Sequence, residues 1–107
     1  MNISPVGNAQ FGAVNIDAVK GLIPRSAQSR ISELSKIVGG DISITSASEK
    51  LVNEYPRHYV FNVMAAKNNK PNGMRATSRT LLIPKKNTPD MISNQLLENA
   101  YDLTRRI

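Results

Sequence analysis

Apolar residues recur at helical spacing in the segment that follows Pro24, and this pattern predicts an amphipathic helix. Pro24 suits the first turn of a helix, and Gly39 and Gly40 supply the left-handed conformation that commonly ends one. The serines of this segment, Ser35 among them, fall on the other faces, where we expect them to be solvated. The predicted buried face consists of Ala27, Ile31, Leu34 and Val38, with Ile37 alongside them.

After the two glycines the chain alternates polar and apolar residues with a period of two. This alternation is typical of a strand that buries one face, and it predicts that Ile42 and Ile44 point toward the core. Residues 48–54 follow as a predicted loop with one helical turn, capped by Ser46 or Ser48.

The middle of the chain has the pattern of a β-hairpin. Two strand-like runs, 58–67 and 75–84, flank the sequence NNKPNG, which is a strong turn signal. We predict that Pro71 and Asn72 are the two central residues of this turn.

That turn fixes a pairing register between the two strands. It places Phe61 opposite Leu82 and Val63 opposite Thr80, and we expect these pairs to line the core side. A slip of one residue would exchange the two sides of a strand. On the other side this register gathers His58, Asn62, Met64, Arg75 and Arg79, with Val60, Leu81 and Ile83 toward the strand ends.

The last segment predicts a second long helix. Thr88 is a good N-cap residue, and Pro89 suits the first helical position. Asp102 lies four residues before Arg106 and can form an ion pair with it on the helix surface. The residues that repeat at helical spacing are Ile92, Leu96, Ala100, Leu103 and Ile107.

The order of these elements, (β)-α-β-β-β-α, predicts an α+β fold with a three- to four-stranded antiparallel sheet and two helices packed on one face. The first strand is a short candidate at 11–16 within an N-terminal segment, 1–22, that we expect to be loosely ordered. Residues 23–107 then form a single α+β domain. A chain of 107 residues is long enough for one hydrophobic core.

The composition excludes several classes of chemistry. Without cysteine, the chain has no disulfide, no thiolate nucleophile and no thiolate metal ligand. We find no signal peptide and no apolar run of membrane-spanning length, so we expect no membrane association and take the cytoplasm as the default compartment.

Catalytic and cofactor motifs do not stand out either. His58 is the single histidine, so no histidine cluster can hold a metal ion. The sequence has no nucleophile elbow and no phosphate-cradling glycine motif, and helix starts and solvated faces account for the carboxylates. We therefore expect a protein that is not an enzyme and that has no metal and no small-molecule cofactor.

The net charge of +6 belongs to one part of the chain. No acidic residue occurs between Glu54 and Asp90, so the hairpin region 57–86 is strongly basic while the rest of the chain is almost neutral. The basic residues of this region are Arg57, Lys67, Lys70, Arg75, Arg79, Lys85 and Lys86.

These observations predict a small non-enzymatic binding module. The favoured hypothesis is that the open sheet face binds a protein partner or a second copy of the chain, with Arg75 and Arg79 as the principal binding residues. The alternative is that the basic hairpin 57–86 binds RNA or DNA, because clustered cations can neutralise several phosphates. A further alternative is a small structural domain with no ligand, in which the basic residues only protect edge strands and keep the protein soluble.

Overall fold

The structure is a computed structural model that describes residues 13–68 and 73–107, and it confirms the predicted α+β fold. The predicted central turn residues Pro71 and Asn72 lie outside the described residues. The elements are β1 (Val14–Asn15), α1 (Arg25–Val38), β2 (Asp41–Ser46), α2 (Glu49–Glu54), β3 (His58–Asn68), β4 (Met74–Pro84) and α3 (Pro89–Arg105).

The four strands form one sheet in the order β1-β2-β3-β4. β2, β3 and β4 are antiparallel neighbours, as predicted, whereas β1 runs parallel to β2. The parallel pair follows from the connection, because α1 carries the chain back across the sheet between β1 and β2. α1 and α3 contact each other and the strands, and neither they nor any other part of residues 13–68 and 73–107 forms a long helix on the second side of the sheet.

The core lies between the sheet and the pair of long helices. Ile42 and Ile44 of β2 are fully buried there, as the alternating pattern predicts. The core extends to the N-terminal side of the predicted boundary at residue 23, because Ile16 and Val19 are also buried in it.

The predicted ends of α1 are confirmed, but one assignment on its surface is wrong. Gly39 ends the helix with a left-handed backbone (φ 66°). Ser35, expected to be solvated, is fully buried, and its hydroxyl lies within hydrogen-bonding reach of the carbonyl oxygens of Gly40 and Ala13. Ile37, expected beside the buried face, is instead 82% exposed.

The signals at the start of α3 are confirmed in detail. The Thr88 hydroxyl accepts a hydrogen bond from the backbone N–H of Met91 at 3.3 Å, and Pro89 occupies the first turn. Arg106 forms the predicted ion pair with Asp102 at 3.2 Å. The predicted apolar stripe of α3 faces the core through Ile92, Leu96, Ala100 and Leu103.

α2 is a short helix of six residues that begins as predicted. The Ser48 hydroxyl accepts from the N–H of Leu51 at 3.4 Å. α2 contacts β3, and two buried residues outside the main core, Ala47 and Val60, lie next to this contact. α2 therefore covers one end of the second side of the sheet.

The hairpin register differs by one residue from the predicted register. Phe61 lies opposite Leu81 rather than Leu82, and Val63 lies opposite Arg79 rather than Thr80. Because successive side chains of a strand point to opposite sides, this slip exchanges the two sides of β4.

The exchange moves the arginines predicted for the open face to the helix-covered side of the sheet. Arg75 and Arg79 share the side of the buried Ile83, while Leu82 lies on the second side and is 42% exposed. The physical reason lies outside the hairpin, because α3 supplies hydrogen-bond acceptors for Arg79.

Candidate functional site

The side of the sheet opposite α1 and α3 is largely uncharged, and we call it the uncovered side. Strand alternation places neither Lys nor Arg on it within the described parts of β2, β3 and β4. Asn62 and Thr80 form a cross-strand hydrogen bond of 3.0 Å on this side. Its principal positions are Ser43, Thr45, Asn62, Met64, Ala66, Met74, Ala76, Ser78, Thr80 and Leu82.

Arg79, one of the two principal predicted binding residues, is held by α3. Its guanidinium donates from Nη1 to Asn99 Oδ1 at 2.8 Å and from Nη2 to Asp102 Oδ2 at 2.7 Å. The hydrogen bonds from Arg79 and then from Arg106 hold the pKa of the Asp102 carboxyl below its ordinary value of 3.8. Arg79 therefore ties β4 to α3, with its charge paired to Asp102 and two of its five N–H donors engaged by α3.

Arg75 and Lys67 lie at the other end of the strand pair, near the connection between β3 and β4. They are direct cross-strand partners on the helix-covered side, where Arg75 is exposed and Lys67 is half-buried. Lys70, the remaining predicted binding residue of this region, lies outside the described residues.

Arg57, Lys85 and Lys86 lie at the opposite end of the hairpin, where β3 begins and β4 ends. Nine positions of β3 separate this end from the pair of Lys67 and Arg75, a distance of about 30 Å along the strands. Within the described residues, the predicted binding residues other than Arg79 thus form two groups at opposite ends of the hairpin rather than one patch.

The outer edge of β4 offers a different kind of surface. β4 is 11 residues long and is the last strand of the sheet, and no strand in residues 13–68 and 73–107 pairs with its outer edge. An unpaired edge presents a row of backbone N–H and C=O groups that can pair with another strand.

Exposed apolar side chains flank this edge on the uncovered side. Met74 is 64% exposed and Leu82 is 42% exposed, while Met64 on the neighbouring β3 is 44% exposed. The sequence reasoning placed Leu81 and Ile83 on the open face and missed Leu82, because three consecutive apolar residues satisfy either alternation. The signal that could have placed Leu82 on this side is the pair of Arg79 and Asp102. An arginine on the helix-covered side needs an acceptor there, and Asp102 of α3 supplies one. With Arg79 on the helix-covered side, alternation puts Leu82 on the uncovered side.

A second apolar surface lies in the groove between α1 and α3. Ile37 and Tyr101 are its most exposed apolar residues. Charged residues of both helices border it, and the guanidinium of Arg105 lies 5.6 Å from the ring centroid of Tyr101.

Comparisons of this chain with models of known protein families, with curated proteins and with solved structures find no match. Among the described residues, no group of three or more His, Cys, Asp or Glu side chains is placed to hold a metal ion. No helix in this part of the chain has both the length and the apolar character needed to cross a membrane.

Proposed function

We propose that this protein is a non-enzymatic interaction module that pairs with a second copy of itself along the edge of β4. Support comes first from the length of that edge, which offers 11 residues of backbone with no partner among the described residues. The opposite edge of the sheet is β1, which has only two residues. A strand added to β4 therefore has far more backbone to pair with than a strand added to β1.

The spacing of the exposed residues on β4 supports a second copy as the occupant. Met74 and Leu82 lie four positions before and after Ser78, on the same side of the strand. Antiparallel pairing of two β4 strands about Ser78 would place Met74 of each copy opposite Leu82 of the other. Both exposed apolar residues of the edge would then be covered, and each contact would occur twice.

The positions of the arginines favour the same register. Pairing about Ser78 places Arg75 opposite Leu81 and Arg79 opposite Thr77. Pairing about Arg79 would set the two Arg79 residues opposite each other, and pairing about Thr77 would set Arg75 opposite Arg79. Like charges directly across a strand pair are destabilising, so the register at Ser78 avoids a cost that both neighbouring registers carry.

The observation that carries this proposal is the symmetric placement of Met74 and Leu82 about Ser78 on an edge strand whose outer side has no partner strand among the described residues. The nucleic-acid alternative has less support, because the described basic residues of the hairpin other than Arg79 are divided between its two ends, and Arg79 is bound to Asp102. A strand from a different protein could use the same edge, and a Ser78→Cys variant that stays monomeric under oxidation would favour that occupant.

The pairing can be tested by cross-linking, because the chain contains no cysteine of its own. Two residues directly opposite in an antiparallel pair have Cα atoms about 4.5–5.5 Å apart, within the range that a disulfide spans. We expect purified Ser78→Cys to form a covalent dimer under mild oxidation. The matched control is Thr45→Cys, which places a cysteine at an exposed position on the same side of the sheet but on β2, two strands away from β4.

The proposal requires that Ser78→Cys cross-link much faster than Thr45→Cys at equal protein concentration. Equal rates for the two variants would indicate random collision and would contradict it. A Ser78→Cys protein that stays monomeric under oxidation, with wild-type protein also monomeric up to about 1 mM, would exclude pairing with a second copy.

A further inference from the structure

A groove lies at the end of the hairpin opposite the β3–β4 connection, and the proposed pairing of β4 does not involve it. It has a volume of about 550 Å³ and lies where β3 begins and β4 ends. It is outside the segment 74–82 that pairing about Ser78 would cover. The lining residues are Pro56, Arg57, His58, Pro84, Lys85 and Lys86.

The backbone holds the walls of this groove in place. The N–H of Lys85 donates to the carbonyl oxygen of Arg57 at 2.9 Å, which fixes the two chain segments side by side. The N–H of His58 donates to the carbonyl oxygen of Tyr55 at 3.0 Å and closes a turn before β3. Because the segments are already ordered, a ligand would lose little affinity to the cost of arranging them.

The charges in the groove are all of one sign. None of the described residues that line it is acidic, and Arg57, Lys85 and Lys86 form no ion pair with any residue in 13–68 or 73–107. The ammonium group of Lys85 lies 5.7 Å from the ring centroid of Tyr59, a contact that leaves its charge unneutralised. Unpaired like charges in a concave site concentrate a positive potential that attracts an anion.

We propose that this groove binds the phosphate group of a small organic phosphate. A guanidinium offers a planar pair of donors that matches phosphate oxygens, and two ammonium groups add charge-assisted hydrogen bonds. The phosphate group of a monoester carries up to two negative charges on three acceptor oxygens, so one such group can engage all three cations of the groove. The apolar walls formed by Pro56 and Pro84 leave room for the organic part of the ligand.

The size of the cationic group argues for a single phosphate rather than a nucleic-acid backbone. Nucleic-acid binding gains its affinity from many phosphate contacts spread along a surface. The other basic pair of the hairpin, Lys67 and Arg75, is about 30 Å away along the strands. Arg79, which lies between the two groups, is bound to Asp102.

The site can be tested by NMR titration of the ¹⁵N-labelled protein with inorganic phosphate, adenosine monophosphate and adenosine. We expect both phosphates to shift the amide signals of Arg57, His58, Lys85 and Lys86, and adenosine alone to leave them unchanged. The shifts should saturate, giving one dissociation constant for each phosphate.

Charge-matched variants separate a built site from general attraction to a basic protein. Lys85→Gln/Lys86→Gln removes two charges from the groove, and Arg25→Gln/Lys36→Gln removes two exposed charges of α1. We expect the first pair to weaken phosphate binding about 10-fold or more and the second pair to change it by less than about 2-fold.

Equal weakening by the two variant pairs, or shifts that do not saturate, would overturn the proposal. Binding of adenosine as strong as that of its monophosphate would also overturn it. A single-stranded RNA that binds more tightly with increasing length, and that is weakened as much by Arg75→Glu as by Lys85→Gln/Lys86→Gln, would show a nucleic-acid surface in its place.

Discussion

Replacing Leu82 with Lys changes a side chain that the free protein exposes and that pairing of β4 about Ser78 would cover. Full burial of a Leu side chain is worth roughly 1.5–3 kcal/mol. Because Leu82 exposes 42% of its surface, pairing can gain only that share from each copy. Two symmetric copies make the expected loss about 1–3 kcal/mol, or roughly a 10- to 100-fold weaker dimer.

Met64→Lys is the matched control for this substitution. Met64 is 44% exposed and lies on the same uncovered side, but it belongs to β3, which has neighbours on both edges. Both variants add one positive charge at a similarly exposed position, so they change the net charge equally.

Sedimentation equilibrium over about 10 μM to 1 mM would give the dimer dissociation constant of each protein. We expect Leu82→Lys to raise it about 10- to 100-fold and Met64→Lys to leave it within about 2-fold of wild type. Similar effects of the two substitutions would refute the register, because only Leu82 lies on the edge strand. Thermal denaturation of the three proteins would show whether each variant keeps its fold.

Two predictions concern the fold itself. Gly40→Ala should destabilise the protein by about 1–3 kcal/mol, because the new Cβ would lie 2.8 Å from a backbone carbonyl oxygen of β3. Gly21→Ala is the control, since nothing lies within 4 Å of its new Cβ. It should change the free energy of unfolding by less than about 1 kcal/mol. Both values can be measured by urea denaturation, and equal effects would contradict the close approach at Gly40. The lowered pKa of Asp102, caused by Arg79 and then Arg106, predicts a stabilising contribution that is complete above about pH 4 and is lost as the pH falls through the folded-state pKa. Asp102→Asn should therefore be less stable than wild type at neutral pH, and this difference should shrink in acid; a difference that stays constant down to pH 2 would contradict the assignment.

Local signals were sufficient for most of the secondary structure. The alternation at Ile42 and Ile44, the Thr88 cap and the left-handed Gly39 each depend on residues within a few positions of one another. Such short-range patterns are visible in the sequence because the physical cause acts within the same segment.

The register of the hairpin could not be predicted from short-range patterns of this kind. Leu81, Leu82 and Ile83 are all apolar, so alternation along β4 permits either assignment of its two sides. The contact between Arg79 and Asp102 joins residues 23 positions apart, and it exists only once α3 packs on the sheet. Long-range contacts of this kind decide the register and leave little trace in either segment.

Ser35 illustrates a second limit of the sequence pattern. Its polar side chain is buried because the end of α1 lies against the carbonyl oxygens of Gly40 and Ala13, which accept from a hydroxyl. The positions of the candidate surfaces also depend on long-range contacts. The fold separates basic residues that are close in the sequence, and it brings Arg57 beside Lys85.

Pairing of two copies through β4 about Ser78 would bring Met74 of one copy against Leu82 of the other. The most direct measurement is an isotope-filtered NOE experiment on a mixture of labelled and unlabelled protein at millimolar concentration. The account predicts intermolecular contacts between the methyl groups of Met74 in one copy and Leu82 in the other. Intermolecular contacts at Ile37 and Tyr101 in the groove between α1 and α3, with none at Met74 and Leu82, would contradict it.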